Sequence, residues 1–306
     1  MQENYSVYLQ GKQKKEPAKF ATLMTPHILR IKGDIIMAKI ILPGEAIRRN
    51  CFISNSMVQS SNLGDLTLMQ WRLISYLLSQ YIWEDEDIRV IPVDIPSFCK
   101  LYNIHNYDAV IGAIDDLYGT NLQIINKEGI ITRLPWVAPR SELKATIHFT
   151  DEYKEFVKDR YTVPLMLNQG LKPYVLNRDK CFTTYKYGYT VRFSSKYAYA
   201  LYMWLSSFRS MSNKPIKIHY TDFYRQFSGG KYKSNFRNFE INVLNPAIRN
   251  INRFSDLIVE YDTYKPGKFV YGIIFRIKQK SLEECEKLLS DLNSREAAFR
   301  EEFWNL

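Results

Sequence analysis

The stretch from residue 234 to residue 252 carries amide and guanidinium side chains at helical spacing. At 100° per residue, its apolar side chains gather on one face of a helix: Phe236, Phe239, Val243, Leu244, Ala247 and Ile251. The opposite face collects Ser234, Asn235, Asn238, Asn242, Asn245 and Arg249, with Arg237 at the boundary. In the major groove of DNA, an Asn amide matches the N6/N7 edge of adenine and an Arg guanidinium matches the O6/N7 edge of guanine. The polar face therefore has the chemistry needed to read base pairs.

Two explanations of this Asn-rich face are open. Solvated helix faces usually favour Glu and Lys, which are better helix formers, so the face has a propensity cost that base reading would explain. Asn is also abundant throughout this Lys-, Asn- and Tyr-rich chain, so the base composition of the gene is an alternative. On the first explanation, we predict base contacts from Arg237, Asn238, Asn242, Ser234 and Asn235.

Lysines stand on both sides of this helix in the sequence. Lys231 and Lys233 precede it, where ammonium groups and free backbone N–H groups can hold phosphates and fix the register of the helix. Lys265 and Lys268 flank the turn of a predicted β-hairpin, from which a wing reaches a neighbouring backbone or minor groove. Arg249 fits either a phosphate contact or solvated surface. We predict phosphate contacts from all five residues, and this context favours base reading over base composition.

The positive charge of the chain is concentrated in the same region. The chain has 306 residues and a formal net charge of +10, with 42 basic and 32 acidic residues. Residues 170–280 hold 20 basic and 6 acidic residues, a net charge of +14, whereas residues 55–169 carry −5. A basic surface kept only for solubility would be spread evenly. The concentration predicts a folded module for a polyanion, with nucleic acid as the first candidate.

The elements that must position these residues occur twice. In each half the pattern reads helix, strand, short helix, longer helix and β-hairpin, and an offset of 128 residues places Pro92-Val93-Asp94 on Tyr220-Thr221-Asp222. This order is typical of a winged helix-turn-helix. We therefore predict an α+β fold of two tandem winged helix-turn-helix domains related by a pattern repeat, with a flexible N-terminal arm and an acidic C-terminal helix.

The same pattern sets the predicted boundaries. The segments are a partly disordered arm at 1–49, a first winged-helix domain at 50–165, a linker at 166–192, a second winged-helix domain at 193–280 and an acidic helix at 281–306. The second domain is predicted to be the main DNA-reading domain. The corresponding helix of the first domain carries Asp108, Asp115 and Asp116, which repel phosphate. We expect the first domain to contact protein, including a second copy of the chain, and to bind DNA more weakly.

The sequence does not carry the patterns that indicate an enzyme or a metal site. A phosphate-binding loop ending at Gly230 would need a glycine at position 225, which is Arg225. The four cysteines are widely spaced and the four histidines are isolated, with no C-x-x-C or H-x-H pair. No apolar run approaches the ~18 residues that span a bilayer, and residues 1–11 lack the apolar core of a secretory signal. We expect a cytoplasmic protein that is not an enzyme and has no cofactor, metal or membrane contact.

Several runs in the chain resemble the iteron-binding plasmid replication initiators. In the second half these are Phe236-x-x-Phe239, Val243-Leu244-Asn245-Pro246-Ala247-Ile248, Ile251-Asn252 and Ser255-Asp256-Leu257-Ile258-Val259. In the first half they are Asn55-x-x-Val58 and the Leu66-x-Leu68-x-Gln70-x-Arg72-Leu73 helix. Pro246 is costly inside a helix, which makes the run around it specific. The similarity covers residues 50–280.

The resemblance implies two winged-helix domains that bind direct repeats of double-stranded DNA, the iterons, as a monomer. It also implies a dimer, joined through the first domain, that represses the initiator's own gene, together with recruitment of host replication proteins and no catalytic activity. Several relatives are basic where this chain has Glu240 and Ile241, so their base preferences cannot be transferred.

We predict a plasmid replication initiator, and two alternatives remain. One is a winged-helix transcriptional regulator without a replication role. The other is an RNA- or single-strand-binding protein, which would need stacked aromatic side chains on an open sheet, whereas the aromatic residues here fall on predicted helix faces.

Overall fold

Two units with the predicted order of elements follow one another along the chain. The computed structural model describes residues 29–31, 34–36, 41–60, 62–125, 128–146, 161–176, 181–211, 214–228, 232 and 235–292. Within the predicted arm, the described part holds two short paired strands, Leu29–Ile31 and Asp34–Ile36, and a 3-10 turn, Glu45–Arg48. The rest of the arm, apart from 41–44 and 49, lies outside the described residues.

The first unit combines helices with short strands. Its helices are Asn55–Ser60, Leu68–Ser79, Ile95–Leu101, Tyr107–Tyr118, Arg140–Thr146, Lys172–Val175 and Gly188–Val191. Its strands are Asn50–Ser54, Val90–Asp94, Asn121–Ile125, Ile131–Pro135, Thr162–Met166 and Phe182–Lys186. Side-chain caps set helix starts: the Thr67 hydroxyl accepts a hydrogen bond from the Gln70 amide at 3.2 Å, and Asp94 accepts one from the Ser97 amide at 2.8 Å.

The segment 166–192, where the sequence predicts a linker, contributes to the sheets of the first unit. Phe182–Lys186 pairs antiparallel with Asn50–Ser54, and Thr162–Met166 pairs antiparallel with Val90–Asp94. These partners lie at least 68 positions apart in the sequence. Local periodicity carries no signal over such a separation. The strand pairing therefore extends the first unit to Lys186, beyond the boundary predicted at 165.

The second unit begins at the buried helix Lys196–Ser206, which we call the central helix. Its last nine residues are all buried. On the side of the first unit, the Tyr199 ring stacks on Trp71 with centroids 6.1 Å apart. On the side of the second unit, Trp204 packs edge-to-face against Phe223 at 6.0 Å. The central helix thus contributes to the cores of both units.

The rest of the second unit follows winged-helix order. Its elements are strand Ile216–His219, helix Tyr220–Ser228, a helical stretch at 236–254 that we call the recognition helix, and strands Leu257–Tyr264 and Gly272–Gln279. The last two strands form a hairpin, which we call the wing, with Tyr264 opposite Gly272. Ile216–His219 pairs with the other edge of Gly272–Gln279 and completes a three-stranded antiparallel sheet.

A helix at 282–292 follows the wing and packs back on the first unit. Its Leu289 is buried, and Oε2 of its Glu286 lies 2.7 Å from Nη1 of Arg48. Arg192 also donates a hydrogen bond to the Leu288 carbonyl at 3.3 Å. The predicted acidic helix is helical over its described part, and residues 293–306 lie outside the description. None of the described helices is long and apolar enough to cross a bilayer.

Candidate nucleic-acid interface

The recognition helix widens in its middle. It consists of an α-helix, Phe236–Phe239, a π-helical turn, Glu240–Leu244, and a second α-helix, Asn245–Phe254. At its start, the side-chain oxygen of Asn235 accepts a hydrogen bond from the Asn238 amide at 2.9 Å and caps the helix. Pro246 has no N–H, and in a regular α-helix its ring would clash with the carbonyl four residues earlier. The wider π turn directly before Pro246 avoids this clash.

The π turn rotates the residues that follow it relative to a uniform α-helix. The 100° repeat places Asn245 on the polar face, whereas in the structure Asn245 is half-buried and its Oδ1 lies 2.9 Å from the Tyr261 hydroxyl. The prediction for Asn245 is therefore wrong. The same hydroxyl lies 2.7 Å from Oε1 of Glu240. Burial and the hydrogen bond to Glu240 raise the pKa of Tyr261, so the phenol stays protonated and holds both side chains against the wing.

The N-terminal half of the recognition helix presents an exposed surface. We call it the reading surface, and its residues are Arg237, Asn238, Ile241 and Asn242. The Asn242 Nδ2 donates a hydrogen bond to the Asn238 carbonyl at 2.8 Å, which holds that amide along the helix. Asn235 is exposed at the cap beside it. The structure therefore brings together four of the five residues predicted to contact bases, and Ser234 lies outside the described residues.

Ile241 belongs to the reading surface although its residue type did not predict a base contact. Its side chain is 53% exposed in the middle of the recognition helix. An apolar side chain in the major groove can contact the methyl group of thymine. Its place one helical turn after Arg237 is the sequence signal that could have identified it.

The residues predicted to contact phosphate fall in two described places. Arg249 is exposed on the C-terminal half of the recognition helix, and Lys265 and Lys268 are exposed at the tip of the wing. Lys231 and Lys233 lie outside the described residues.

The wing runs back toward the start of the recognition helix. Near the helix end, Val259 donates a backbone hydrogen bond to Oδ1 of Asn252 at 2.7 Å, and further along the same strand Tyr261 reaches Glu240. Tyr264 lies three residues beyond Tyr261, about 10 Å further at the usual rise of a strand. The wing tip therefore extends past the level of the π turn.

A second connection ties the wing tip to the helix start. The Tyr271 carbonyl accepts a hydrogen bond from the Tyr220 amide at 2.9 Å. The Tyr220 ring packs edge-to-face on Phe236, the first residue of the recognition helix, with centroids 5.2 Å apart. The reading surface and the wing tip thus lie at the same end of the second unit.

Acidic side chains near this end have internal partners. Asp222, two residues after Tyr220, has its Oδ1 3.9 Å from Nη1 of Arg225. Asp262 pairs with Arg276 across the wing. The positive charges of the reading surface and wing tip therefore dominate the potential there, which attracts a polyanion.

The matching surface of the first unit has the opposite charge. Helix Tyr107–Tyr118 exposes Asp108, Asp115 and Asp116, of which Asp115 pairs with Arg140. The first-unit hairpin exposes three isoleucines, Ile125, Ile130 and Ile131. This surface is suited to protein contact rather than to phosphate. In the part of the chain that the structure describes, no group of three or more His, Cys, Asp or Glu side chains could hold a metal ion.

Comparison with known families matches both units. Residues 52–206 match the model described as initiator replication protein, WH1, and residues 220–277 match the model described as initiator Rep protein, WH2. The chain belongs to the initiator Rep protein family. The predicted resemblance and the predicted α+β fold with two winged-helix domains are confirmed. The WH1 match of this initiator Rep chain includes the segment 166–192 and the central helix, in agreement with the strand pairing and with the stacking of Tyr199 on Trp71.

A solved structure shares the fold. The crystal structure of the Pi initiator protein in complex with iteron DNA superposes on the initiator Rep chain with a TM-score of 0.59. The two sequences are 15% identical, and the alignment covers 77% of this chain and 99% of that one. No curated protein matches the sequence.

Proposed function

We propose that this initiator Rep protein starts replication of a plasmid by binding short direct repeats of double-stranded DNA near the origin. The observation that carries the proposal is the joint position of the reading surface and the wing lysines at one end of the second winged helix. A helix in the major groove and a wing over the adjacent backbone need this arrangement. The related Pi initiator, which has the same fold, was crystallised with iteron DNA.

Each predicted contact has a role in this proposal. Arg237, Asn238 and Asn242 read base edges in the major groove, together with Asn235 at the helix start and Ser234, which precedes it in the sequence. The phosphate contacts, which fix the register of the helix in the groove, are Lys231, Lys233, Arg249, Lys265 and Lys268. The proposal assigns no catalytic step, cofactor or metal to the chain.

The first winged helix has the protein-binding role in the proposal. Its exposed aspartates disfavour phosphate, while the isoleucines of its hairpin, Ile125, Ile130 and Ile131, offer an apolar surface. We assign to this domain the monomer–dimer equilibrium, repression of the initiator's own gene by the dimer and contact with host replication proteins.

Binding to origin DNA tests the proposal directly. The full chain is titrated with a duplex carrying the direct repeats that flank its gene and with a scrambled duplex, over a range of salt concentrations. Five neutralised phosphates predict a slope of log K against log salt of about −4 to −5. A slope near zero, or equal affinity for both duplexes, contradicts the proposal.

A replication assay separates the proposal from a purely regulatory role. A plasmid that carries only the origin is placed in cells that supply the chain from the chromosome. An initiator maintains this plasmid, whereas a transcriptional regulator of the same fold binds its operator and leaves the plasmid unable to replicate.

A further inference from the structure

The tip of the wing exposes three aromatic rings within eight residues: Tyr264, Phe269 and Tyr271 are 52%, 77% and 55% exposed. The turn between the two tyrosines also carries Lys265 and Lys268 and contains no acidic residue. A phenylalanine left in water forgoes the free energy that burial of its ring would provide. An exposed apolar ring close in sequence to two cations is unfavourable in a free protein and suits a polyanion with an apolar interior.

The base of this turn is held firmly. The Tyr271 amide donates a hydrogen bond to the Tyr264 carbonyl at 2.9 Å. The Tyr271 ring meets the rings of His219 and Tyr264 edge-on, with centroids 4.2 Å and 6.1 Å away. The backbone of Tyr271 is also bonded to Tyr220, so the turn is tied to the start of the recognition helix. Phe269 therefore projects from an ordered support.

The position of Phe269 selects one groove of the duplex. When the reading surface lies in the major groove, the wing tip beside the helix start meets the adjacent minor groove. That groove is about 6 Å wide and has a phosphate backbone on each side. Lys265 and Lys268 can each contact phosphate while the neutral ring faces the groove floor.

We propose that Phe269 is a minor-groove wedge, which inserts its ring between neighbouring base pairs and bends the duplex toward the major groove. The inference rests on the proposed DNA binding and adds a residue and a mode of recognition to it. Apolar wedges of this kind partly unstack a base step in order to bend the DNA onto more protein surface. Pyrimidine–purine steps unstack most easily, so the wedge favours a TA or CA step at a fixed distance from the bases read by Arg237 and Asn242.

The geometry favours duplex over single-stranded DNA as the target. A single-strand platform stacks successive bases on open ring faces. Here the Tyr264 and Tyr271 rings meet at 84° and His219 stands at 83° to Tyr271, so the three rings do not form a continuous platform. The wing tip instead offers one projecting ring.

The test uses the full chain and the duplex that it selects from a random-sequence library. 2-Aminopurine, whose fluorescence rises when a base is unstacked, replaces adenine at successive positions, and the bend is measured by energy transfer between end labels. Wild type should raise the fluorescence at one step and bend the duplex. Phe269→Ala should abolish the fluorescence rise, reduce the bend and weaken binding about 10-fold without changing the salt slope.

Three further variants make the result specific. Phe269→Trp should retain the fluorescence rise, because it keeps an aromatic wedge. Lys268→Ala should lower the magnitude of the salt slope by about 1 and retain the rise. Leu282→Ala removes a side chain that is 86% exposed and follows the wing at the end opposite its tip, and this variant should change neither measurement.

Two results overturn the wedge while leaving the proposed function intact. One is a Phe269→Ala protein with wild-type affinity, bend and 2-aminopurine signal. The other is a Phe269→Ala protein that loses affinity for single-stranded DNA but keeps wild-type affinity for the duplex, which would identify the ring as a single-strand contact. If wild type selects no duplex from the library, the proposed function fails and the wedge fails with it.

Discussion

The hydroxyl of Tyr261 on the wing lies 2.7 Å from Oε1 of Glu240 in the π turn of the recognition helix. This contact ties the two DNA-facing elements together and engages the carboxylate that lies nearest in sequence to the reading surface. A carboxylate released from it would lie within range of the phosphates that we propose the wing lysines bind.

Removal of the Tyr261 hydroxyl should therefore weaken DNA binding. We expect Tyr261→Phe to lower affinity for the origin repeat about 5-fold, equivalent to about 1 kcal/mol, because Glu240 loses its hydrogen bond and gains freedom to repel phosphate. Fluorescence anisotropy measures the effect. Adding Glu240→Gln to Tyr261→Phe should restore affinity. A double variant as weak as Tyr261→Phe would show that the loss comes from altered packing.

Base-reading and phosphate-binding residues should separate in a specificity assay. Arg237→Ala or Asn242→Ala should cost about 1–3 kcal/mol on the repeat and much less on random duplex, because each loses contacts to base edges. Lys268→Ala should weaken both duplexes equally. Titrations against both duplexes in one buffer provide the measurement. Equal losses on both duplexes for all three variants would refute the base-reading assignment.

Ile241 should read a thymine methyl group. Replacing each thymine of the repeat by uracil deletes only that methyl, so wild-type affinity should fall at one position, by about 3- to 10-fold for one buried methyl group. Ile241→Ala should bind the thymine and uracil duplexes equally at that position. Uracil substitution without effect at every position would exclude this contact.

Gly188 should be indispensable to the packing of the 282–292 helix. A Cβ at Gly188 would lie 2.6 Å from Cγ2 of Ile47 and 2.7 Å from Cδ2 of Leu289. We expect Gly188→Ala to lower the free energy of unfolding by about 1–3 kcal/mol through overpacking. Urea unfolding followed by circular dichroism measures the change.

Gly112 offers the matched control for that substitution. It lies in helix Tyr107–Tyr118, and a Cβ there would meet no atom within 4 Å. Gly112→Ala should stabilise the protein by about 0.5–1 kcal/mol, since alanine is the better helix former. If Gly188→Ala is as well tolerated as Gly112→Ala, the 282–292 helix does not pack tightly on the first unit.

The recognition helix illustrates what the sequence could and could not predict. Its apolar spacing predicted Phe239 and Val243 on the buried side, because burial follows the helical repeat whatever the neighbours are. Asn245 was misplaced because the repeat changes at the π turn before Pro246. Pro246 marks the resemblance to the family, and its steric effect on the helix also changes the facing of the residues that follow the π turn.

The wing and the first unit contain features that the sequence could not predict for a different reason. A hairpin around Lys265, Pro266 and Gly267 was predictable from turn residues alone. The exposure of Phe269 was not, because aromatic content suggests burial until the neighbours of a ring are known. Likewise, the strand Phe182–Lys186 finds its partner in Asn50–Ser54, and only the folded chain brings these segments together.

The central helix makes the two winged helices inseparable in folding. On the side of the first unit, Tyr199 of this helix stacks on Trp71, and on the side of the second unit, Trp204 packs against Phe223. Unfolding of either unit therefore exposes aromatic surface of the same eleven residues. Heat should then melt the molecule in a single cooperative transition. A fragment that ends before this helix, or begins after it, would expose apolar surface that the helix covers in the full chain. Such a fragment should aggregate.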